Sequence, residues 1–509
     1  MAASLRDGLA AYMLVHRALA VLFVALVDTL LRPCFRARPP PQRVAVVGGG
    51  IAGAGAAFAL RRAGVAVDLF EAGAAAGGNA KTHAWADGVR TGLSVLAWPR
   101  AYFRNYAALL RALGVPTAPV ELPFFIARAD GESFAHGAPG VGLAKRYAAE
   151  LAKWARMVEH VRAVNAAFAP RDGGPAPSLY SASFVNPFNA VPLRALARVW
   201  GCGGDAFWQD VIAPLYASSF LTTAIDSVPA VVLPIISDLI PADASRTVSM
   251  DSWAREAGSA DVFAGLLAGV TVHAGARVEH AAQRADGRWA LSVAAAAGGR
   301  AASEEAGFDA VIFACGAPAA ARALRGAPLD VLPTAVLLRG ISYCAGPAFE
   351  RGVVHSHAPS LPAAERAVLL RGYANYIVAH AGKVRRYENT FILSSWAAQP
   401  PASRGTPRLV TYDARDPVGL AAHAAGGVEN KENHPHLSVA NLAAAQLLRA
   451  AQGRRGLYFC GSFATPGNGH DLSFTSGLAV AAALGAPYPF ADDAGAAADF
   501  ARLRRLMGV

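Results

Sequence analysis

The stretch from Arg43 to Glu71 constrains this chain more than any other. Arg43–Val47 reads R-V-A-V-V, a short apolar run with the character of a buried strand. Gly48-Gly49-Gly50-Ile51-Ala52-Gly53 follows at once, Ala54–Gly64 reads as a helix, and Val65–Phe70 (V-A-V-D-L-F) as a second strand closed by Glu71. Strand, glycine turn, helix and strand in this order make one βαβ unit, so the chain starts an α/β fold here. Each glycine has a task. Gly48 permits the tight turn, Gly50 lets the backbone approach a pyrophosphate, and Gly53 lets helix and strand pack closely. Ile51 and Ala52 complete the turn before the helix, whose unpaired N–H groups and positive dipole end suit phosphate. Glu71, 23 residues after Gly48, is placed to accept hydrogen bonds from ribose hydroxyls, with Ala72 beside it. A carboxylate at that place argues against a 2′-phosphate and therefore against NADP.

Composition narrows the rest. Of the 509 residues 16% are charged, against about 25% in an average chain, and the mean hydropathy is +0.30. That excludes intrinsic disorder. Fifty Gly and 32 Pro without a G-X-Y period exclude collagen. The net charge is +11, but no Arg/Lys cluster alternates with aromatics, so no nucleic-acid partner is expected. The cysteines, Cys34, Cys202, Cys315, Cys344 and Cys460, are far apart and form no C-x-x-C. That fits free thiols in a reducing compartment, cytosol or organelle stroma. The H-x-H pairs His355/His357 and His434/His436 have no carboxylate or cysteine at ligand spacing, so no metal site is expected.

The hydropathy concentrates first at Leu9–Leu31, apolar except for His16, Arg17, Asp28 and Thr29. A membrane anchor, spanning or in-plane, is the leading reading; a cleaved targeting peptide and a packed soluble helix are the alternatives. Arg32, Arg36, Arg38 and Arg43 follow and would keep the main body on the cytosolic or stromal side. Pro39–Pro41 makes a stiff spacer, so residues 1–42 stand apart as anchor and linker.

A second glycine pair, Gly77-Gly78-Asn79, comes just after the ribose acid. A plain NAD fold has no such pair. Here the sequence resembles the FAD-dependent amine oxidase and carotenoid desaturase superfamily, whose pattern is strand, G-x-G-x-x-G, helix, strand, Glu, then G-G. That superfamily usually has Arg where this chain has Asn79. Phe308–Gly316 (F-D-A-V-I-F-A-C-G) resembles the strand by which such proteins return to the nucleotide domain, with Ala314 and Gly316 small enough for close cofactor approach. The resemblance makes Val278 the adenine contact. Near the end, a strand closing in Gly461-Ser462, a polar glycine loop with His470 and Asp471, and a helix through Thr475 resemble the element that faces the flavin. His434-Pro435, Ala445-Gln446, Gln452-Gly453, Cys460-Gly461 and Ser476-Gly477 are similar to a subgroup, the predicted NAD/FAD-binding amine-oxidase-like proteins associated with cyclopropane-fatty-acid synthases. The subgroup's H-E-D-G core is reduced here to His470-Asp471-Leu472-Ser473.

The expectation is an α/β two-domain flavoprotein. Residues 43–120, 250–322 and 450–487 form the Rossmann-like FAD domain, 121–249 and 323–449 an interleaved α+β substrate domain, and 488–509 a C-terminal tail. The resemblance implies an FAD-dependent oxidoreductase that passes hydride from substrate to flavin and then to oxygen or a quinone. The aromatic stretch from Glu121 to about Ser249, with Phe124, Trp154, Trp200, Trp208, Tyr216 and Phe220 among others, reads as a large core or an apolar channel. With the apolar N-terminus it favours a small apolar substrate (lipid, acyl chain or isoprenoid). A soluble amine, a non-catalytic flavin-binding scaffold or sensor, and an NAD-dependent dehydrogenase stay open as alternatives. No general base stands out.

Overall fold

A computed structural model describes residues 40–128, 130–169, 174, 186–220, 224–254, 257–294, 302–343, 351–380, 386–396, 407–414, 416–429 and 434–509. The apolar segment Leu9–Leu31 lies outside the described residues. Among those described, no helix is long and apolar enough to cross a membrane.

Five strands form a parallel sheet: β1 (Arg43–Val47), β2 (Ala66–Glu71), β3 (Thr271–Ala274), β4 (Ala310–Phe313) and β5 (Leu457–Phe459), in the order β3-β2-β1-β4-β5. This is the doubly wound order of a dinucleotide-binding fold. The unbroken apolar run of β1 has a direct cause. Alternate residues point to opposite faces, so Val44 and Val46 enter one core with Leu69 and Ile312, while Ala45 and Val47 enter another with Phe70 and Phe313. Both faces are covered, as parallel sheets require.

The helices that bear on the site are α1 (Ile51–Arg62), α2 (Arg104–Leu113), α3 (Ala148–Phe168), α4 (Leu233–Leu239), α5 (His470–Ala483) and α6 (Ala494–Met507). Helices α1 and α5 pack at backbone distance. A Cβ on Gly477 would lie 2.0 Å from the Ala52 carbonyl oxygen, and one on Gly55 would lie 2.8 Å from the Phe474 ring.

Between β3 and β4 the chain makes an antiparallel meander of strands 278–283, 289–293 and 303–308. The sequence read Phe308–Gly316 as one strand, and the structure divides it. Phe308 closes the meander opposite Trp289, and Ala310 enters the parallel sheet beside Val44. Asp309 makes the corner: its Oδ2 accepts the Gln42 and Arg43 N–H groups at 2.8 and 3.0 Å.

The substrate side is a seven-stranded mixed sheet in the order 424–429, 351–355, 409–412, 386–392, 375–380, 124–128, 133–135. Helices α3 and α4 and the intervening short helices bury Trp154, Trp208 and Tyr216 against it. Packing alters the expected partition in two places. Residues 488–509 are no tail: Phe500, Leu503 and Met507 of α6 are buried in the nucleotide-side core, and the fully buried Asp499 accepts a hydrogen bond from Arg104 at 2.7 Å. Leu324, Leu338, Ala444 and Leu448, assigned by sequence to the substrate domain, cover Phe313 and Phe459 instead. The reason is the same in both: a parallel sheet has two apolar faces to hide.

Candidate functional site

The first glycine loop is built by close approach. Gly48 has φ +110°, and a Cβ there would lie 2.6 Å from the Cys315 nitrogen. A Cβ on Gly53 would lie 2.0 Å from the Gly48 carbonyl oxygen. Gly50 differs: its Cβ would meet nothing within 4 Å. It caps the N-terminus of α1 without a side-chain hydrogen bond, so the first-turn N–H groups stay available. The second pair folds onto the first. The Gly77 N–H donates to the Gly49 carbonyl at 2.9 Å, and Gly78 (φ +57°) sits where a Cβ would be 3.2 Å from the Gly50 Cα. Glu71 ties the loops together, its Oε2 accepting the Gly49 N–H at 2.8 Å and its Oε1 the Gly73 N–H at 2.6 Å.

These loops open on a cavity of about 720 Å³. From the sequence-predicted set it gathers Gly50, Ile51, Ala52, Gly77, Asn79, Ala314, Gly461, Ser462 and His470. Helix α5 also points its N-terminus here, capped by Gly469 with no side-chain bond. Two uncapped helix ends therefore meet at one cavity, an arrangement suited to anionic and strongly polar groups.

Nine predicted contacts do not line it: Gly48, Gly53, Glu71 and Gly78 shape the glycine loops from behind, and five others lie apart. Ala72 is exposed, Gly316 caps a following helix, and Val278 begins the meander next to the 275–276 segment, which bonds to Glu71 and Gly73. Asp471 and Thr475 face inward. The fully buried Asp471 carboxylate accepts the Tyr106 N–H of α2 at 2.5 Å, and the Thr475 hydroxyl donates to the Asp471 carbonyl at 2.7 Å. On a helix, adjacent positions point about 100° apart, so with His470 at the cavity its neighbour Asp471 turns to α2.

A family model described as an NAD(P)-binding Rossmann-like domain matches residues 46–113. No curated protein matches the chain. Among solved structures, putrescine oxidase bound to putrescine aligns with a TM-score of 0.59 at 16% identity, covering 87% of this chain and 98% of the other. A CLA-producing fatty acid isomerase from P. acnes gives 0.57 at 14%, with the same coverages. Cyclohexylamine oxidase from Brevibacterium oxydans IH-35A gives 0.54 at 15%, over 92% and 100%. The chain shares the fold of these amine oxidases and of the fatty acid isomerase.

Within this amine-oxidase-type fold the residues present fit a flavin dinucleotide. The open space over Gly50, the paired glycine loops and the uncapped start of α5 are all on one cavity. His470 lies edge-on to Tyr106 with ring centroids 4.7 Å apart, and burial lowers its pKa to about 3, so its imidazole is neutral at working pH. Of the opposite wall, sequence reasoning had Phe220 alone, as one of the aromatics of the middle segment. Phe103, Phe220, Val231, Ile235 and Leu239 line it, with Tyr102, Arg162 and Asn165 at a polar corner. Their helices carry ordinary core patterns, and no local signal marks a cavity face. The histidine pairs separate by role. His434 lines the cavity; His355 is buried, bonded to Thr411 at 2.9 Å, and His357 stacks on His423 at 3.9 Å.

Proposed function

We propose that this chain is an FAD-dependent oxidoreductase that oxidises or desaturates an apolar substrate, a lipid, acyl or isoprenoid compound, and passes the electrons to oxygen or a quinone. Solved proteins of this fold include two named for amines and one for a fatty acid, so the fold leaves the substrate open. The cavity wall carries the reading. Among the described residues that line it there is no Asp or Glu, and apart from two histidines Arg162 is its one basic side chain. An ammonium group moved from water into such a wall would lack a counter-ion and pay its desolvation cost uncompensated, whereas an alkyl chain gains about 25 cal/mol per Å² of apolar surface hidden.

Gly50–Ala52, Gly77–Asn79 and Gly461-Ser462 would hold the FAD, with Glu71 placed for its adenosine ribose. When bound, the flavin supplies the hydride acceptor. The chain's own part is to position and to exclude water. The apolar wall removes bulk solvent from the reacting C–H bond, and neutral His470 keeps a positive charge away from the apolar cavity. The Leu9–Leu31 segment supports delivery from a bilayer, with the main body in a reducing compartment.

The test is spectroscopic. Purified full-length protein should carry flavin absorption, bleached anaerobically by a lipid extract and not by alkylamines. Colourless protein would overturn the cofactor reading. Bleaching by amines alone would overturn the substrate class, and flavin that nothing bleaches would overturn turnover. Association with membranes that survives carbonate washing, lost when residues 1–42 are removed, is the result expected for the anchor.

A further inference from the structure

We propose that Arg162 is the head-group anchor of the cavity, donating hydrogen bonds to the carboxylate of a long-chain acyl substrate; this rests on the apolar-substrate reading above. Arg162 sits on α3 and lines the cavity with 36% of its side chain exposed. A guanidinium has five N–H donors. Three are committed: Nε to Glu159 Oε1 at 3.3 Å, Nη1 to Asp238 Oδ2 at 3.0 Å and Nη2 to Asp238 Oδ1 at 2.8 Å. Of the other two, one is engaged by the Tyr102 hydroxyl and one has no partner among the described residues, on a residue that borders the cavity.

The guanidinium is also held in place. Asp238 of α4 grips it from two sides, and Tyr102 donates to the same Asp238 Oδ2 at 2.5 Å. The fork is thus fixed by α3, α4 and the segment before α2, so little freedom remains to be lost on binding. Its neighbour Asn165 donates one amide N–H to the Val231 carbonyl at 2.7 Å and accepts from Asn186 at 2.7 Å, which leaves its second N–H to the corner. The polar corner therefore presents donors to the cavity, and these face apolar walls at Phe220, Ile235 and Leu239. Free N–H donors beside an apolar wall call for an acceptor oxygen with a hydrocarbon tail. An ammonium meets no carboxylate on the cavity wall, since Asp238 lies behind Arg162 and Tyr102, which engage it, and is not among the lining residues. Asp238 offsets the charge of Arg162, so recognition comes from directed hydrogen bonds.

The test uses the full-length holoprotein and four probes: oleate, methyl oleate, oleylamine and octadecene. Binding is read from displacement of a fluorescent fatty acid and from perturbation of the flavin spectrum. Oleate should bind about tenfold or more tightly than methyl oleate, the worth of one charge-assisted hydrogen bond. Arg162→Met should erase that preference while leaving methyl oleate affinity unchanged, and Arg162→Lys should restore part of it. Equal binding of oleate and methyl oleate by the unaltered protein would overturn the proposal without recourse to any variant. So would a variant that weakens acid and ester alike, the mark of a merely structural role. If flavin is bound but no probe other than oleylamine binds, the apolar-substrate reading itself fails, a result distinct from loss of the acid preference.

Discussion

Gly50 and Gly53 stand three residues apart and meet opposite demands. At Gly53 the constraint is internal, since any Cβ would strike the Gly48 carbonyl. At Gly50 the protein leaves space, and the constraint comes from what must approach. Gly53→Ala should therefore lower the melting temperature sharply, as overpacking against backbone costs about 1–3 kcal/mol or more. Gly50→Ala should leave the melting temperature of the flavin-free protein unchanged and still yield colourless protein on purification. Equal losses of stability in the two variants would contradict this division. Such glycines were legible in the sequence because the turn, the close packing and the anion contact are all local and fix the spacing. Asp471 was legible only as an acid beside a glycine loop. Its partner, the Tyr106 N–H, lies 365 residues away and no local pattern announces it. Asp471→Asn should cost about 1–3 kcal/mol in urea unfolding while the purified protein keeps its flavin.

Among the elements, strand 351–355 carries a pH dependence that the H-x-H spacing did not suggest. His355 is buried, and burial, with His357 and His423 nearby, lowers its pKa to about 4. Its Nδ1 accepts the His357 N–H at 3.2 Å, so Nε2 carries the proton donated to Thr411. Protonating the ring would break the first of these bonds. Unfolded, the histidine takes up a proton below about pH 6.5; folded, only below about pH 4. The unfolded chain thus binds more protons in that window, and stability present above about pH 6.5 is lost as pH falls, by up to about 1.4 kcal/mol per unit. His470, lowered further, acts in the same direction. Urea midpoints measured at about pH 7.5 and about pH 5 should differ less in His355→Gln than in the unaltered protein, and an unchanged difference would count against the assignment. The strand character of Phe308–Gly316 was readable from its apolar run. The division at Asp309 was not, because a single residue there passes the chain from one sheet to another, and a continuous apolar pattern fits either.

For the whole molecule, chain order and spatial order part company. The parallel sheet takes β1 and β2 from the first part of the sequence, β3 and β4 from the middle, and β5 from near the end, with β1 paired to both β2 and β4. Its second face is covered by Leu324, Leu338 and Leu448, and α6 from the C-terminus packs onto α2 and α5. The βαβ signature announced a nucleotide fold but could not announce which distant segments complete it, since apolar faces are matched by shape and not by motif. The same interleaving makes the site a property of the full chain. The cavity needs Gly50 and Gly77 from the first segment, Ala314 from the loop after β4, Gly461 from the loop after β5 and His470 from α5. Residues 43–250 hold the complete glycine signature yet supply only β1 and β2 of the five strands. A two-stranded remnant covered on one face by α1 and left without β3, β4, β5 and α5 does not bury enough apolar surface to fold. That fragment should thus express as colourless, protease-sensitive material, whereas residues 43–509 fold cooperatively with flavin. Recovery of a yellow, protease-resistant 43–250 fragment would mean that the signature alone makes the cofactor site.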